Sequence, residues 1–200
     1  MPVTTSAPWY LPVARAVPAL VLAAVITFSP DHSAPLGFLA FGLVGVLSGA
    51  VLTAGALRAE GVERTLGLLQ GILSIVAGGI ALMLPGGGLP FLILLVTGWA
   101  AVTGFVELYL GVRARRADRT ARDGIFAGGL TVLLAVGLLL VPPQLAQPLG
   151  GIEGVEGVLT ASVVVVGALG AYWAILGVYL VIAGLSLRWA DAPEPVGGNA

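Results

Sequence analysis

Residues 68 to 116, LLQGILSIVAGGIALMLPGGGLPFLILLVTGWAAVTGFVELYLGVRARR, contain the pattern that decides the fold. Two long apolar runs flank a turn that begins at Pro85, and the second run ends in a cluster of arginines that starts at Arg113. A run of about 20 apolar residues is long enough to cross the ~30 Å hydrocarbon core of a bilayer as a helix. The stretch therefore predicts two antiparallel transmembrane helices joined by a short turn.

Apolar runs of this kind recur along the whole chain, which has six of them. They cover approximately residues 11–28, 35–57, 65–84, 88–112, 124–141 and 160–187. Only 10% of the 200 residues are charged and the mean hydropathy is +1.05, whereas soluble domains have about 25% charged residues. The sequence predicts an all-α integral membrane bundle of six transmembrane helices, forming a single domain over residues 1–200 without a soluble part.

The chain also contains an internal repeat of two helices. The spacing from Pro30 to Arg58 equals the spacing from Pro85 to Arg113, and a third, more divergent copy runs from Arg122 onward. The repeat units cover about residues 11–58, 64–116 and 122–188, and the third has a longer outer loop at residues 143–159. Because a two-helix unit returns the chain to its starting side, successive units keep one orientation. Packing with approximate threefold symmetry is therefore expected.

Small residues at helical spacing mark one face of several predicted spans. The sets are Gly42, Gly45 and Gly49; Gly67, Gly71, Ser74 and Gly78; Gly124, Gly128, Thr131 and Ala135; and Gly167, Gly170, Ala174 and Gly177. In lipid, such faces allow helix backbones to approach closely. We expect these faces to form helix contacts rather than flexible hinges.

The charges predict the orientation in the membrane. All nine cationic residues are arginines, and all lie beside the same ends of the apolar runs. By the positive-inside rule, both termini, with short tails at residues 1–10 and 189–200, are expected in the cytoplasm and the protein in a cell inner membrane. A cleavable signal peptide around Arg15 is the alternative for the first run, but Trp9 and Tyr10 favour a retained helix with an aromatic interfacial belt.

The composition gives little support to catalysis or to a cofactor. The chain has no cysteine and one histidine, so neither a thiolate site nor a metal site is expected. The sequence shows no paired acid and base and no activated nucleophile, so we predict a protein that is not an enzyme and has no cofactor. No surface for nucleic acid is implied. The expected partners are the lipid bilayer, further copies of the chain or other envelope proteins.

Glu107 is the one carboxylate inside a predicted span. Its helical neighbours are small residues, so its side chain should face other helices rather than lipid. An ionisable residue in this position is a candidate for an ion-linked function. The alternative is a structural carboxylate paired with an arginine near the cytoplasmic end, such as Arg64 or Arg122. The sequence leaves both interpretations open.

Three further groups of charged residues lie in the loops. His32, next to Asp31 in the first outer turn, is a candidate pH-responsive group because histidine changes charge between about pH 5 and 8, although an exposed histidine is commonly just solvated. Glu153 and Glu156 lie in the last outer loop. The arginine cluster consists of Arg113, Arg115, Arg116, Arg119 and Arg122. It is expected to set the topology or to bind anionic lipid headgroups.

The stretch at residues 68–116 resembles the short repeat of the HdeD-like acid-resistance membrane proteins. The resemblance is carried by Gly71, Ile72, Gly79, Ile80, Pro85, Trp99, Gly104, Glu107 and the closing arginines. It implies a six-helix inner-membrane protein of bacterial type, associated with tolerance of acid or envelope stress. It implies no catalytic residues. A small transporter or channel for protons or a small solute, using Glu107, is the alternative function.

Overall fold

The structure is a computed structural model that describes residues 8–114, 121–148 and 158–190. Within these ranges there are six long helices: α1 (Tyr10–Phe28), α2 (Ala34–Ala56), α3 (Gly61–Met83), α4 (Gly88–Ala114), α5 (Ala121–Leu139) and α6 (Ala161–Ala190). The shortest has 19 residues, or about 28 Å at ~1.5 Å per residue. Each is long and apolar enough to cross a membrane. The predicted fold class is confirmed, and the helix bounds agree with the predicted spans to within a few residues.

The main departure from the expected all-helical chain is a small β-ribbon in the long outer loop. β1 (Ala146–Pro148) pairs antiparallel with β2 (Val158–Thr160), and the Ala161 amide donates a hydrogen bond of 3.0 Å to the Leu145 carbonyl. The ribbon therefore leads directly into α6. At the other end, α6 extends to Ala190, three residues beyond the predicted end of the sixth span.

The six helices form a ring in which the same pattern of contacts occurs three times. The most extensive contacts join α2 to α3, α4 to α5 and α6 to α1, and smaller contacts join the two helices of each repeat unit. Each extensive pair joins the second helix of one unit to the first helix of the next, and the pair of α6 with α1 closes the ring. Helices α2, α4 and α6 also contact one another at the centre. This is the arrangement expected from three units of one orientation.

The two ends of the bundle differ in charge. We call the end at which α1, α3 and α5 begin and α2, α4 and α6 finish the arginine end, because the arginines cluster there. The opposite end carries the turns at Pro30 and Pro85 and the β-ribbon.

Glycines set the close approach of α2 and α3. A β-carbon built on Gly49 would lie 2.7 Å from the Gly71 carbonyl oxygen, and one built on Gly78 would lie 2.8 Å from that of Gly42. Real β-carbon atoms essentially never come this close to another atom. The small faces predicted for these two helices are thus confirmed as contact faces.

Packing is equally close between α4 and α5 but different between α6 and α1. A β-carbon on Gly104 would lie 2.9 Å from the Val132 amide nitrogen and 3.2 Å from the Gly128 carbonyl oxygen. In the ring-closing pair, Gly177 instead faces the side chain of Leu20. Helix α1 has no glycine, so Gly177 accommodates a leucine, whereas a β-carbon on Gly184 would lie 2.8 Å from the backbone carbonyl oxygen of Trp9.

Large apolar side chains fill the half of the bundle opposite the arginine end. Phe38, Leu92, Val96, Leu138, Val165, Val166 and Leu169 are each at most 1% exposed. At the centre of this half, a β-carbon on Gly37 would lie 2.6 Å from Leu92 Cδ2 and 3.0 Å from Val166 Cγ2. Helices α2, α4 and α6 therefore meet tightly, and in the described part of the chain this half of the bundle is closed.

Candidate functional site

A buried ion pair joins Arg15 of α1 to Glu107 of α4. Arg15 Nη1 donates a hydrogen bond of 2.6 Å to Glu107 Oε1, and the two side chains are 14% and 11% exposed. Glu107 precedes the last residue of α4, Ala114, by seven positions, or about 10 Å at ~1.5 Å per residue. Both charges thus lie well inside the bundle, where removing either one would leave the other without its partner.

The partner of Glu107 differs from the predicted one. Arg64 and Arg122 were the expected partners, but both lie in the first turns of their helices and are exposed. Arg15 lies five residues inside α1, and its long side chain reaches Glu107 across the centre of the bundle. The sequence did contain a signal for this pairing, since Arg15 is the one cation located within a predicted span.

The ion pair lies in a cavity, which we call the vestibule, and in the described part of the chain this cavity opens at the arginine end. All six helices contribute to its wall, and its volume is about 370 Å³. Its polar and charged lining consists of Arg15, Glu63, Gln70 and Glu107, and leucines, alanines and glycines form most of the remainder. A vestibule of this size and character has the properties of small-molecule sites, which are mainly apolar with a few convergent polar groups.

The repeat explains why Glu107 is central. In each unit, one glycine of the second helix packs against the next unit, and these glycines are Gly49, Gly104 and Gly177. The residues three positions after them are Leu52, Glu107 and Leu180. All three line the vestibule. Glu107 therefore occupies a position that the other two units fill with leucine, and this exchange breaks the approximate threefold symmetry at the level of the ion pair.

A smaller cavity continues from the vestibule toward the middle of the bundle. Arg15, Leu52 and Gln70 line both spaces, and Ser48 and Tyr172 line only the smaller one. Its volume of about 20 Å³ is enough for about one water molecule. Beyond it lie the closely packed apolar side chains of the closed half.

Beside this smaller cavity, a hydrogen bond joins the two helices of the second unit, and an equivalent hydrogen bond joins the two helices of the third unit. Trp99 Nε1 donates to Ser74 Oγ at 2.9 Å, and the hydroxyls of Tyr172 and Thr131 lie 2.8 Å apart. Sequence reasoning placed Ser74 and Thr131 on small faces but did not identify these partners. The bonds fix the aromatic side chains that wall the cavity.

His32 and Asp31, in the first outer turn, are not brought to this site. Asp31 accepts hydrogen bonds from the Ser33 amide at 2.8 Å and from its hydroxyl at 3.0 Å, so its carboxylate stabilises the turn before α2. His32 is half-buried in that turn, at the end opposite the ion pair. Glu153 and Glu156 lie outside the described residues.

The arginine cluster is described only in part. Arg113 is exposed and donates a hydrogen bond of 3.3 Å to the Tyr109 hydroxyl, and Arg122 is also exposed. Arg115, Arg116 and Arg119 lie outside the described residues. Among the residues that are described, no group of three or more histidine, aspartate or glutamate side chains is placed to hold a metal ion.

Comparison with known proteins identifies the family. The family model described as "Short repeat of unknown function (DUF308)" matches residues 14–83 and residues 69–141. The two matches begin at the same offset that separates Pro30 from Pro85, so they reproduce the spacing of the repeat. No curated protein and no solved structure matches the chain. The two matches together cover well over half of the residues, and the chain belongs to the DUF308 short-repeat family.

Proposed function

We propose that this multi-pass membrane protein is not an enzyme and that it contributes to tolerance of acid or envelope stress. The observation that carries the proposal is the buried pair of Arg15 and Glu107 in a vestibule that opens at one end. Glu107 can take up a proton, whereas the guanidinium of Arg15 keeps its charge. Protonation of Glu107 from the side that the vestibule faces would therefore break the pair and leave a positive charge inside the bundle.

The resemblance of residues 68–116 to the HdeD-like repeat supports the same role. The geometry supports it because Arg15 and Glu107 neutralise each other and Glu63 is exposed at the mouth, an arrangement suited to sensing a proton rather than to activating a nucleophile. Further copies of the chain or other envelope proteins are the partners through which we expect the protein to act.

The arginine end is proposed to face the cytoplasm of a bacterial-type cell. A reporter that is active only in the cytoplasm, fused after Ala200, is expected to be active. The same reporter inserted in the turn at Gly87, at the opposite end, is expected to be inactive, because positive loops are retained inside. Activity at Gly87 together with inactivity at Ala200 would reverse the orientation and place the vestibule outside.

Acid survival tests the function directly. A strain that lacks the protein is expected to survive acid challenge less well than the wild type, and a plasmid copy should restore survival. The double variant Arg15→Gln/Glu107→Gln removes both charges of the pair and is expected to accumulate in the membrane but not to restore survival. Glu60→Gln removes an exposed carboxylate at the same end and serves as the matched control. Full restoration by the double variant would exclude the ion pair from the function.

The vestibule also supports a second candidate, a small transporter. It provides a cavity of about 370 Å³ with one buried ion pair, but a transport cycle would have to open the half that is closed around Leu92 and Val166. Flux into proteoliposomes separates the two functions. Selective flux, combined with unchanged acid survival of the deletion strain, would favour transport over the stress role.

A further inference from the structure

We propose that the vestibule binds a small monocarboxylate with an apolar tail at Arg15, and that binding is coupled to protonation of Glu107. This inference deepens the proposed function by naming a ligand class for the same vestibule, but its test does not depend on acid survival. The shared chemistry, a carboxylate on a hydrocarbon group, occurs both in soluble weak acids and in fatty acids.

The hydrogen bonding of Arg15 leaves room for a second oxyanion. Among the described residues, Arg15 forms one side-chain hydrogen bond, from Nη1 to Glu107 Oε1. A guanidinium has five N–H donors in a planar fork that matches a carboxylate. Paired N–H···O bonds from this fork to a carboxylate are among the strongest hydrogen bonds in proteins. A ligand carboxylate in the vestibule therefore has a charged donor group available to it.

The walls of the vestibule fit an apolar tail. Leu11, Leu52, Leu110 and Leu180 line it together with several alanines and glycines. Its volume of about 370 Å³ lies in the range of ligand pockets, about 300–1,000 Å³. Its wall includes residues at the helix ends all around the bundle, so among the described residues the vestibule reaches the arginine end, where a water-soluble ligand can enter. This opening favours a short soluble carboxylate over a long-chain fatty acid.

Glu107 makes the binding depend on protons. As a carboxylate, Glu107 neutralises the charge of Arg15 and repels a second negative charge; as a neutral acid, it does neither. The other charged group on the vestibule wall is Glu63 of α3, which is exposed at the mouth, and Tyr172 of α6 lines the smaller cavity next to Arg15. The wall residues from α2 and α5 are not titratable. Proton uptake by Glu107 should therefore strengthen carboxylate binding, and carboxylate binding should promote proton uptake by the same factor.

Equilibrium binding of labelled benzoate to the purified full-length protein in nanodiscs tests this proposal. Wild-type protein is expected to bind benzoate at least about tenfold more tightly at about pH 5 than at about pH 7.5, because the binding of benzoate is accompanied by proton uptake at Glu107. Glu107→Gln should bind tightly at both pH values, because its side chain remains neutral, and benzoate should raise its thermal unfolding temperature. Arg15→Gln/Glu107→Gln should lose saturable binding while eluting as a folded protein. Glu60→Gln should bind like the wild type.

Several results would contradict the proposal. They are absence of benzoate binding to the wild type at both pH values, unchanged binding in the double variant, and loss of the pH dependence in Glu63→Gln but not in Glu107→Gln. Tight binding of oleate without binding of benzoate would overturn the soluble ligand and indicate a lipid-derived one. Benzoate binding without any survival phenotype would leave this inference standing and overturn the stress role. A survival phenotype without binding would do the reverse.

Discussion

Gly128→Ala is expected to lower the free energy of unfolding by about 1–3 kcal/mol, because a methyl group inserted into a closely packed contact forces helices apart. A β-carbon at this position would meet the Leu108 amide nitrogen and would lie 2.8 Å from the Gly104 carbonyl oxygen, both on α4. Backbone atoms cannot rotate away as a side chain can. The loss should appear as reduced membrane accumulation and as unfolding at lower SDS concentration.

The neighbouring residue provides the control. A β-carbon on Gly129 would meet nothing within 4 Å, so Gly129→Ala should be neutral or stabilising by up to ~1 kcal/mol, as alanine has the higher helix propensity. Gly78 and Gly79 form a second matched pair in α3, because a β-carbon would meet the backbone of α2 at Gly78 and nothing within 4 Å at Gly79. Equal effects at Gly128 and Gly129 would show that α4 and α5 do not meet through this face.

Much of the architecture could be predicted because membrane helices impose strong requirements on sequence. Every span needs a long apolar run, and the spacing shared by the Pro30–Arg58 and Pro85–Arg113 segments reveals a two-helix period. The cyclic packing then follows from units that keep one orientation. The β-ribbon was missed because the outer loop has neither the apolar alternation nor the length that identifies strands in sequence.

The choice of packing partners was harder to predict. The small faces of α2 and α3 indicate that each helix packs closely against another, but not which helix that is. In the structure, they pack against each other although they belong to different repeat units. A sequence pattern defines the face of a single helix, whereas the partner depends on the closure of the whole ring.

The partner of Glu107 was also harder to predict than the face of the helix on which Glu107 lies. The position of Glu107 among small residues predicted an inward orientation, and in the structure the residue as a whole is only 9% exposed. Its partner was sought among the arginines at the helix ends, because they are nearest along the membrane normal. Arg15 lies deeper in the bundle than those arginines, and its long side chain spans a central space whose width cannot be obtained from the sequence.

Glu107→Gln is expected to destabilise the protein by about 3 kcal/mol, the lower end of the range for breaking a buried ion pair, because the vestibule gives Arg15 partial access to water. Arg15→Gln should cost less and should recover stability as the pH falls, since an unpaired buried carboxylate can become neutral by taking up a proton and a guanidinium cannot lose one. The pH dependence of stability should therefore differ between the two single variants, with recovery at low pH in Arg15→Gln but not in Glu107→Gln.

The double variant Arg15→Gln/Glu107→Gln completes the thermodynamic cycle. It leaves no buried charge at this position, so its stability should lie within about 1 kcal/mol of the wild type and well above that of Glu107→Gln, a strongly non-additive result. SDS titration of the four proteins at two pH values measures the coupling. Additive losses of stability in the double variant would mean that Arg15 and Glu107 do not stabilise each other. Protonation of Glu107 would then not break an interaction with Arg15, contrary to the proposed function.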